Sequence, residues 1–525
     1  MKLLLTIILF LFCFNALSQT PAEFDVLYSE KRFDKALEMA WEMTKTDSTA
    51  AFGYGQIGRT YNNKGKFDSG ILYLQKAIES DGDRTYISGW GHANKGYALI
   101  MSGEKERGIS ELNTAITLRK TTNCVRYARH ILDSVGAPMP GTQQTHLTKE
   151  NLYKDIDIYG RDIETNHVYP FSVISKKDFF EHLEKIKDTG NLNVDEMYVA
   201  LKKVNAEIED EHTNMGYREP VLFPYSCHLF KEGIYIISAD QSEEQAVFSR
   251  VIAVNHIPIG TVIDKITDML PDKNKRSIDE EAPKILSSPV MLHGLHIINS
   301  PGSVALTLVT QNNDTVLASF TPKKYFEIIP KGRQFPTPPL RYSQSGNYWY
   351  KYDSSGDFIY FNYSRCIIDS TYPFERFYED FFKAIKENNP KKIVIDIRDN
   401  RGGSDAILRP FIDELSYSKY NKPHRLYVLM GRKTFSAAVN NLVYMMKTLT
   451  MTSIGEATSG SVNHYGSIKT FTLPNSGIEV NYSTKRITGI GYTNGPVKPN
   501  VIMPESISDY IYGTDPALNY AIADE

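Results

Sequence analysis

The chain has 525 residues, of which 41% are hydrophobic, 12% aromatic and 23% charged. A chain of this length can form several domains, each with its own core, and these proportions exclude a disordered or fibrous protein. Its 59 lysines and arginines against 62 aspartates and glutamates give a net charge of −3. Because no stretch concentrates the basic residues, we do not expect nucleic acid as a partner.

The first residues of the chain are typical of an export signal. Lys2 supplies a positive charge, residues 3–14 are almost entirely apolar, and residues 16–18 match a small-x-small cleavage site. The apolar stretch is too short to span a bilayer, and no other stretch is long enough. We therefore expect a signal peptide over residues 1–18. The mature chain is expected without a membrane-spanning segment, in the periplasm or outside the cell.

The mature chain keeps three cysteines, Cys124, Cys227 and Cys366. An odd number leaves at least one thiol without a disulfide partner. The sequence contains neither a Cys-x-x-Cys nor a His-Glu-x-x-His motif, which are spacings that zinc sites use. We expect no metal and no organic cofactor.

Residues 21–135 carry a repeat. The pair Phe33-Asp34 recurs 34 residues later as Phe67-Asp68, a spacing that resembles tetratricopeptide helix pairs. Small residues, which let antiparallel helices approach closely, recur at a shift of 38 residues. They are Gly58, Gly70 and Ala77, echoed by Gly96, Gly108 and Ala115. Two roles fit such repeats: a groove that binds a protein partner, or a packing platform.

The rest of the chain divides by sequence pattern. Residues 136–150 combine glycine, proline and polar residues, which is typical of a linker. Residues 151–220 have the apolar spacing of helices, and residues 221–325 carry short apolar runs that predict a small β module. Residues 326–525 alternate strands with amphipathic helices, which favours a parallel sheet covered by helices. The predicted fold class is multidomain, an α-helical repeat domain followed by an α/β core with a β module.

Two strand ends in the last domain are candidate positions for a functional site, because ligands of open α/β sheets bind beyond the carboxyl ends of the strands. The strand over residues 393–397 runs into the paired glycines Gly402 and Gly403. Glycines allow positive φ and close approach, so N–H groups there can be aimed at a ligand oxygen. The strand over residues 426–429 leads to Ser436 at the start of a helix.

A serine at a helix start has two roles open to it. The side chain of Ser436 can cap the helix. Alternatively Ser436 is a nucleophile, since the same position exposes its Oγ and places the N–H of Ala437 and the positive end of the helix dipole beside a developing oxyanion. The residue pattern by itself does not separate these roles.

Together, the two strand ends resemble the tail-specific, or C-terminal processing, serine peptidases. The family's strand-end motif is present as Asp396-x-Arg398-x-Asn400-x-Gly402-Gly403. As in that family, a serine follows at the start of a helix rich in alanine.

The resemblance covers about residues 150–525. Residues 455–460 are similar to the family's Gly-x-x-Thr-x-Gly loop, and residues 497–500 continue the match. The resemblance implies a crotonase- or ClpP-like peptidase core over residues 326–525 and a PDZ-like module over residues 221–325.

The resemblance offers two bases for the serine. In the processing-protease branch a lysine follows the Gly-x-x-Thr-x-Gly loop directly, but that residue is Ser461 here. In the branch typified by the tricorn core the base is a histidine in an Asp-x-His-Thr context, and residues 210–213 have this pattern. It implies His212 as the base, with His464, in the loop after the Gly-x-x-Thr-x-Gly stretch, as the alternative.

The residue that orients the base departs from the family. The tricorn-like branch carries a glutamate before its Gly-Val-x-Pro-Asp segment, but the corresponding residues 493–500 hold no carboxylate. Glu211 and Glu456 are the acids that we consider in its place. A neutral partner stabilises imidazolium less than a carboxylate does.

The sequence therefore predicts an exported serine endopeptidase that forms an acyl-enzyme at Ser436, with His212 as base and polypeptides as substrate. The N–H groups of Ala437 and of Gly402 or Gly403 are expected to hold the oxyanion. The missing lysine and carboxylate leave one alternative, a peptidase fold that binds polypeptides with little or no turnover. A second is a scaffold whose repeats recruit a partner. Acyl-CoA chemistry, which a crotonase-like core raises, is not expected of an exported protein.

Overall fold

The structure is a computed structural model. It describes residues 24, 28, 32–82, 85–118, 122–135, 148–189, 192–217, 219, 221–271, 274–332, 339–369, 371–488 and 495–525. The predicted signal peptide and most of the predicted linker lie outside these residues. The chain divides into two compact units, Met1–Gln144 and Thr145–Glu525. None of the helices in the described ranges is long and apolar enough to cross a membrane.

The first unit is helical, as the repeat pattern predicts. Its helices are α1 (Phe33–Met43), α2 (Asp47–Asn63), α3 (Phe67–Asp81), α4 (Tyr86–Met101), α5 (Lys105–Leu118) and α6 (Thr122–Ser134). Consecutive helices pack against one another. Apolar residues of neighbouring helices form the buried core of each pair.

Glycines set the closest helix crossings of this unit. A Cβ at Gly58 would lie 2.5 Å from Cγ of Leu74 and 3.0 Å from the carbonyl oxygen of Gly70. The crossing of α4 and α5 repeats this arrangement, because a Cβ at Gly96 would lie 2.8 Å from the carbonyl oxygen of Gly108. The small residues that recur in the sequence therefore lie where two helices touch.

The second unit begins with three helices. They are α7 (Lys149–Asn166), α8 (Lys176–Asp188) and α9 (Val194–Ala206). Each starts at a residue whose side chain accepts a hydrogen bond from the helix: Thr148, Ser175 and Asn193. The sequence pattern predicts that the last helix continues into residues 210–213, but α9 ends at Ala206. Glu209 has φ 55°, which a helix does not accommodate, so the Asp-x-His-Thr stretch lies in a turn.

A mainly β region follows, as predicted. Its strands are β1 (Asn214–Gly216), β2 (Val221–Leu222), β3 (Tyr225–Phe230), β4 (Gly233–Asp240), β5 (Arg250–Val254), β6 (Ile257–Pro258), β7 (Val304–Val309), β8 (Thr315–Phe320), β9 (Lys323–Lys324) and β10 (Pro330–Gly332). Its helices are α10 (Ile259–Thr267), α11 (Lys275–Ile285) and α12 (Pro289–Gly294). Seven of these strands form an antiparallel sheet in the order β10-β4-β5-β7-β8, with β3 beside β4 and β6 beside β5. Its core is continuous with that of α7–α9.

The last part of the chain is a six-stranded sheet with helices on both faces. Its strands are β11 (Tyr348–Asp353), β12 (Phe358–Tyr363), β13 (Lys392–Asp396), β14 (Leu426–Met430), β15 (Thr452–Gly455) and, after a separate hairpin, β18 (Val501–Ile502). They lie in this order, and all neighbours are parallel except β11 and β12. The helices are α13 (Phe374–Asn388), α14 (Arg409–Tyr417), α15 (Ala437–Thr448), α16 (Ile507–Tyr512) and α17 (Pro516–Ala523).

Burial on both faces explains the continuous apolar runs of the central strands. Successive side chains of a strand point to opposite faces. Ile393 and Ile395 pack in the cluster that includes α13, α14 and α15, whereas Val394 packs with α17. Every residue of β14 is buried. The predicted N-terminal helical region and C-terminal α/β region are thus confirmed.

A third, smaller sheet joins distant parts of the second unit. The hairpin of β16 (His464–Thr472) and β17 (Glu479–Ile487) pairs with β1 in the order β1-β17-β16. Its tip is anchored by buried Asp155, which accepts hydrogen bonds from the N–H groups of Asn475 and Ser476. This sheet places the turn before β1, which holds His212, near the start of β16, where His464 lies.

Candidate active site

The first half of the strand-end motif is structural. Asp396, the last residue of β13, accepts hydrogen bonds from the guanidinium of Arg398. The same guanidinium donates to Asp515 at 2.6 Å. Arg398 thereby ties the end of β13 to the start of α17. These charged groups are engaged with one another rather than presented to a substrate.

The second half of the motif is a turn that lies against the serine. Gly402 has φ 101°, and a Cβ there would lie 2.9 Å from Cβ of Ser436 and 3.0 Å from the backbone nitrogen of Ala437. Gly403 has φ 136°, and a Cβ there would lie 2.2 Å from the carbonyl oxygen of Cys366. Both positions therefore require glycine, for conformation and for space.

Ser436 has a strained backbone and does not cap its helix. Its φ of 52° and ψ of −126° lie in a region that residues with a side chain rarely adopt. No hydrogen bond from the start of α15 reaches its side chain. Strain of this kind is found at active sites, where the surrounding structure maintains it. The geometry therefore speaks against the capping role that the sequence left open for Ser436.

Two of the backbone N–H groups that the sequence offers as oxyanion donors are not used within the described part of the chain. No hydrogen bond within the described part of the chain uses the N–H of Ala437 or that of Gly403. The N–H of Gly402, by contrast, donates to Oδ1 of Asn400 at 2.9 Å. Of the three groups that the sequence offers as oxyanion donors, Gly402 is thus already engaged.

His212 lies beside the residue that precedes the serine. Its ring stacks on that of Phe435, with centroids 4.7 Å apart, and on that of His464, with centroids 5.4 Å apart. The side chain is buried, and neither ring nitrogen has a hydrogen-bond partner among the residues that the structure describes. Burial lowers the pKa of His212 to about 4, more than the nearby Asp210 carboxylate raises it. The imidazole is therefore neutral at ordinary pH.

Asp210 holds the backbone of His212 rather than its ring. Oδ1 of Asp210 accepts the N–H of His212 at 2.8 Å, and Oδ2 lies 3.0 Å from Nε2 of His167. Nδ1 of His167 accepts the N–H of Tyr169, so Nε2 carries the proton and donates to Asp210. Burial alone would raise the pKa of Asp210, but hydrogen bonds, first that of His167, bring it below its ordinary value. The Asp-x-His-Thr pattern thus shapes a turn.

His464 is also buried and has one engaged ring nitrogen. Nδ1 lies 2.9 Å from the carbonyl oxygen of Ser461, which can only accept, so Nδ1 carries the proton. Nε2 is then an acceptor, and it has no partner. Burial lowers the pKa of His464. The residue lines a cleft of about 410 Å³ together with Glu211 and Ser461.

Neither acid considered for the orienting role forms a hydrogen bond with the His212 ring in the described part of the chain. Glu211 accepts the N–H of Ser461 at 3.4 Å. Glu456 forms ion pairs with Arg432 at 3.3 Å and Arg276 at 3.4 Å. Residues 495–500 are described and contain no carboxylate, whereas residues 491–494 lie outside the described residues.

A second cavity, of about 250 Å³, opens at the carboxyl ends of β14 and β15. Its charged lining includes Arg398, Arg432 and Glu456, which are paired within the protein. The two cavities therefore differ: one is lined by paired ions, and the other by His464, whose Nε2 has no partner.

Sequence reasoning missed three residues around this site. The only feature of the sequence that points to Phe435 is its position directly before Ser436. Asn400 belongs to the strand-end motif, yet nothing in the motif says what its side chain does. His167 lies 43 residues before its partner Asp210 in the chain, and no local pattern links the two.

No protein-family model and no curated protein sequence matches this chain. Solved structures do. Mature CPAF in complex with lactacystin is 13% identical over 71% of this chain and 97% of its own, with a TM-score of 0.53. A serine-to-alanine mutant of CPAF is 12% identical over 72% of this chain and 99% of its own, with a TM-score of 0.52.

A photosystem II D1 C-terminal processing protease shows a weaker likeness. It is 12% identical over 70% of this chain and 98% of its own, with a TM-score of 0.33. The chain has the fold of the CPAF structures.

Proposed function

We propose that this chain is an exported serine peptidase that hydrolyses peptide bonds of polypeptides, with Ser436 as the nucleophile and His212 as the base. The observation that carries the proposal is the strained backbone of Ser436 at the start of α15. A serine held in this conformation without capping its helix costs stability, and a catalytic role explains why it is kept.

In the proposed reaction, Oγ of Ser436 bonds to the carbonyl carbon of the substrate, and the hydroxyl proton of Ser436 passes to a ring nitrogen of His212. The N–H groups of Ala437 and Gly403 hold the oxyanion. The carbon–nitrogen bond then breaks, and the amine leaves with the proton from His212. Water hydrolyses the acyl-enzyme, with His212 again taking a proton, and Ser436 is restored.

We propose that turnover is slow. The ring of His212 contacts no carboxylate, so the imidazolium formed during the reaction is stabilised less than in a complete triad. His464, stacked on His212, is the alternative base, and its Nε2 has the acceptor lone pair that a base needs. Hydrogen bonds to the nucleophile often form fully only when substrate is bound.

The finer domain assignments are also proposals. We propose tetratricopeptide-like repeats over residues 21–135, a linker over 136–150 and a helical part over 151–220. A PDZ-like module over 221–325 and a crotonase- or ClpP-like core over 326–525 complete the chain. The recurring glycine crossings of the helical unit support the first of these. The repeats would serve as a packing platform or bind a protein partner, and the signal peptide would direct the chain to the periplasm or beyond.

The proposal is tested by labelling residues 19–525 with a fluorophosphonate probe. We expect Ser436→Ala and His212→Ala to abolish labelling and His464→Ala to retain it. The matched control is His182→Ala, because His182 pairs with Glu207 at the surface of α8. If labelling persists in His212→Ala but is lost in His464→Ala, the protein is still a serine peptidase and His464 is its base.

Absence of labelling in the wild type would contradict the peptidase and leave the polypeptide-binding alternative. Binding of an unlabelled polypeptide to the wild type and to Ser436→Ala would then identify that function. The similar CPAF structure is a complex with lactacystin, so binding of lactacystin to the wild type and to Ser436→Ala is a second measurement.

A further inference from the structure

We infer that Asn400 is a positioning residue that decides which backbone N–H groups face the substrate. It holds the N–H of Gly402 and leaves that of Gly403 for the oxyanion. The inference rests on the proposed function, because it names the donors of the same site. It goes beyond that function in assigning a role to a side chain that touches neither Ser436 nor a substrate.

The amide of Asn400 is fully engaged inside the protein. The residue is 0% exposed. Its Oδ1 accepts the N–H of Gly402 at 2.9 Å and the thiol of Cys366 at 3.4 Å, and its Nδ2 donates to the carbonyl oxygen of Tyr363 at 2.9 Å. Because an N–H can only donate and a carbonyl can only accept, the amide has one orientation that satisfies both. An acceptor and a donor are needed side by side, and asparagine supplies them.

The backbone of Asn400 connects the turn to the serine. Its carbonyl oxygen accepts the N–H of Phe435 at 3.0 Å, and its own N–H donates to the carbonyl oxygen of Ile397 at 3.1 Å. Phe435 precedes Ser436 directly. One residue therefore holds the glycine turn with its side chain and the approach to the serine with its main chain.

The peptide units on both sides of Gly402 are held by neighbours. Asn400 fixes the N–H of Gly402, and the carbonyl oxygen of Gly402 accepts the N–H of Cys366 at 3.0 Å. In a trans peptide the N–H points opposite to the carbonyl. The N–H of Gly403 therefore points away from Cys366.

Two successive glycines would otherwise be the least constrained part of the site. Glycine reaches positive and negative φ with similar ease, so the peptide between Gly402 and Gly403 has alternative orientations. Rotation of that peptide would turn the N–H of Gly403 away from the site. The N–H of Cys366 holds the Gly402 carbonyl against this rotation. Asn400 supports that arrangement before substrate arrives, because it fixes the preceding peptide unit at Gly402 and accepts the thiol of Cys366. This is the preorganisation that oxyanion stabilisation requires.

The test compares Asn400→Ala and Asn400→Asp with a matched control, Asn441→Ala. Asn441 is also a buried asparagine, and its amide contacts the thiol of Cys366 at 3.7 Å from α15. It makes no hydrogen bond to the glycine turn. Asp at position 400 keeps an acceptor for Gly402 but loses the donor to Tyr363.

Three quantities are measured on each full-length variant: the rate of fluorophosphonate labelling, kcat and KM on a fluorogenic peptide, and the thermal midpoint. Losing one oxyanion donor lowers kcat by about 100- to 1,000-fold. We expect Asn400→Ala to lower kcat and the labelling rate by about 100-fold with KM nearly unchanged, and Asn441→Ala to match the wild type. Asn400→Asp should keep more of the rate than Asn400→Ala.

A labelling rate equal to the wild type in Asn400→Ala would overturn the inference. So would an equal loss in Asn441→Ala, because the effect would then come from packing around Cys366. Where Asn400→Ala does not fold, the decision passes to Asn400→Asp, in which loss of the exchange protection of Gly402 without any fall in kcat or in the labelling rate overturns the inference.

Amide hydrogen exchange separates this inference from the proposed function. In the wild type, exchange at Gly402 should be slow and exchange at Gly403 fast, since Gly402 has an acceptor within the protein. Asn400→Asp should keep the protection of Gly402, and Asn400→Ala should lose it. This pattern without any labelling would leave the positioning intact and contradict the peptidase. Labelling of the wild type together with equal exchange at Gly402 and Gly403 would support the peptidase and contradict the positioning role of Asn400.

Discussion

Adding a single methyl group at Gly402 should separate the geometry of the turn from general stability. In Gly402→Ala the new Cβ would lie 2.9 Å from Cβ of Ser436 and 3.0 Å from both the nitrogen of Ala437 and the carbonyl oxygen of Phe435. Two of these three neighbours are backbone atoms, which cannot rotate away. The methyl group must therefore displace the serine or the turn.

The expected loss of stability has two parts. An alanine at φ 101° costs about 1–2 kcal/mol in backbone strain. Overpacking of a rigid contact adds about 1–3 kcal/mol. The matched control is Gly103→Ala, in the helical unit, because Gly103 has φ 96° and no atom within 4 Å of its added Cβ. The control should show the backbone strain without the clash.

Calorimetry and fluorophosphonate labelling together test this prediction. Gly402→Ala should lower the thermal midpoint of the second unit and reduce the fluorophosphonate labelling rate by about 100-fold or more, the usual effect of losing an oxyanion donor. Gly103→Ala should affect the transition of the helical unit and leave labelling unchanged. Labelling of Gly402→Ala at the wild-type rate would refute the close approach of the glycine turn to Ser436.

Two further perturbations test the charges around the site. His212 must be neutral to accept the proton of Ser436, and burial lowers its pKa to about 4. The labelling rate should therefore stay level from about pH 8 to about pH 5 and fall as the pH drops through about 4, whereas a fall centred near the ordinary histidine value of about 6.5 would contradict the buried base. Arg398→Met should reduce the free energy of unfolding by about 3–5 kcal/mol, because buried Asp396 and partly buried Asp515 both lose the guanidinium that pairs with them. Urea denaturation measures this loss, and a value below about 1 kcal/mol would show that the carboxylates find other partners.

The sequence predicts the α/β part of the fold well, because the signals there are local. A strand buried on both faces is apolar at every position, so residues 393–397 and 426–429 were recognisable without any knowledge of their neighbours. The helix over residues 374–388 has an apolar stripe that includes Phe377 and Phe381, and the apolar spacing of the sequence predicts it over residues 374–386. In these segments the side-chain pattern and the final environment agree.

The turn before β1 is where a local pattern was misleading. Apolar spacing continued through Ile208, so the helix was expected to run into the Asp-x-His-Thr stretch. The chain instead turns at Glu209, because Asp210 is held by His167 and accepts the N–H of His212. Contacts with a residue 43 positions away override the helical pattern, and no spacing within the segment records them.

The sequence by itself determined the place of the serine, the paired glycines and the sheet that carries them, since each of these depends on residues that are close in the chain. Tertiary structure decided the rest. It stacks His212 between distant parts of the fold, beside Phe435 and His464. It also engages the N–H of Gly402 with Asn400 and leaves that of Gly403 open. The physical reason is that the direction of an N–H group and the environment of a buried imidazole are set by what packs against them.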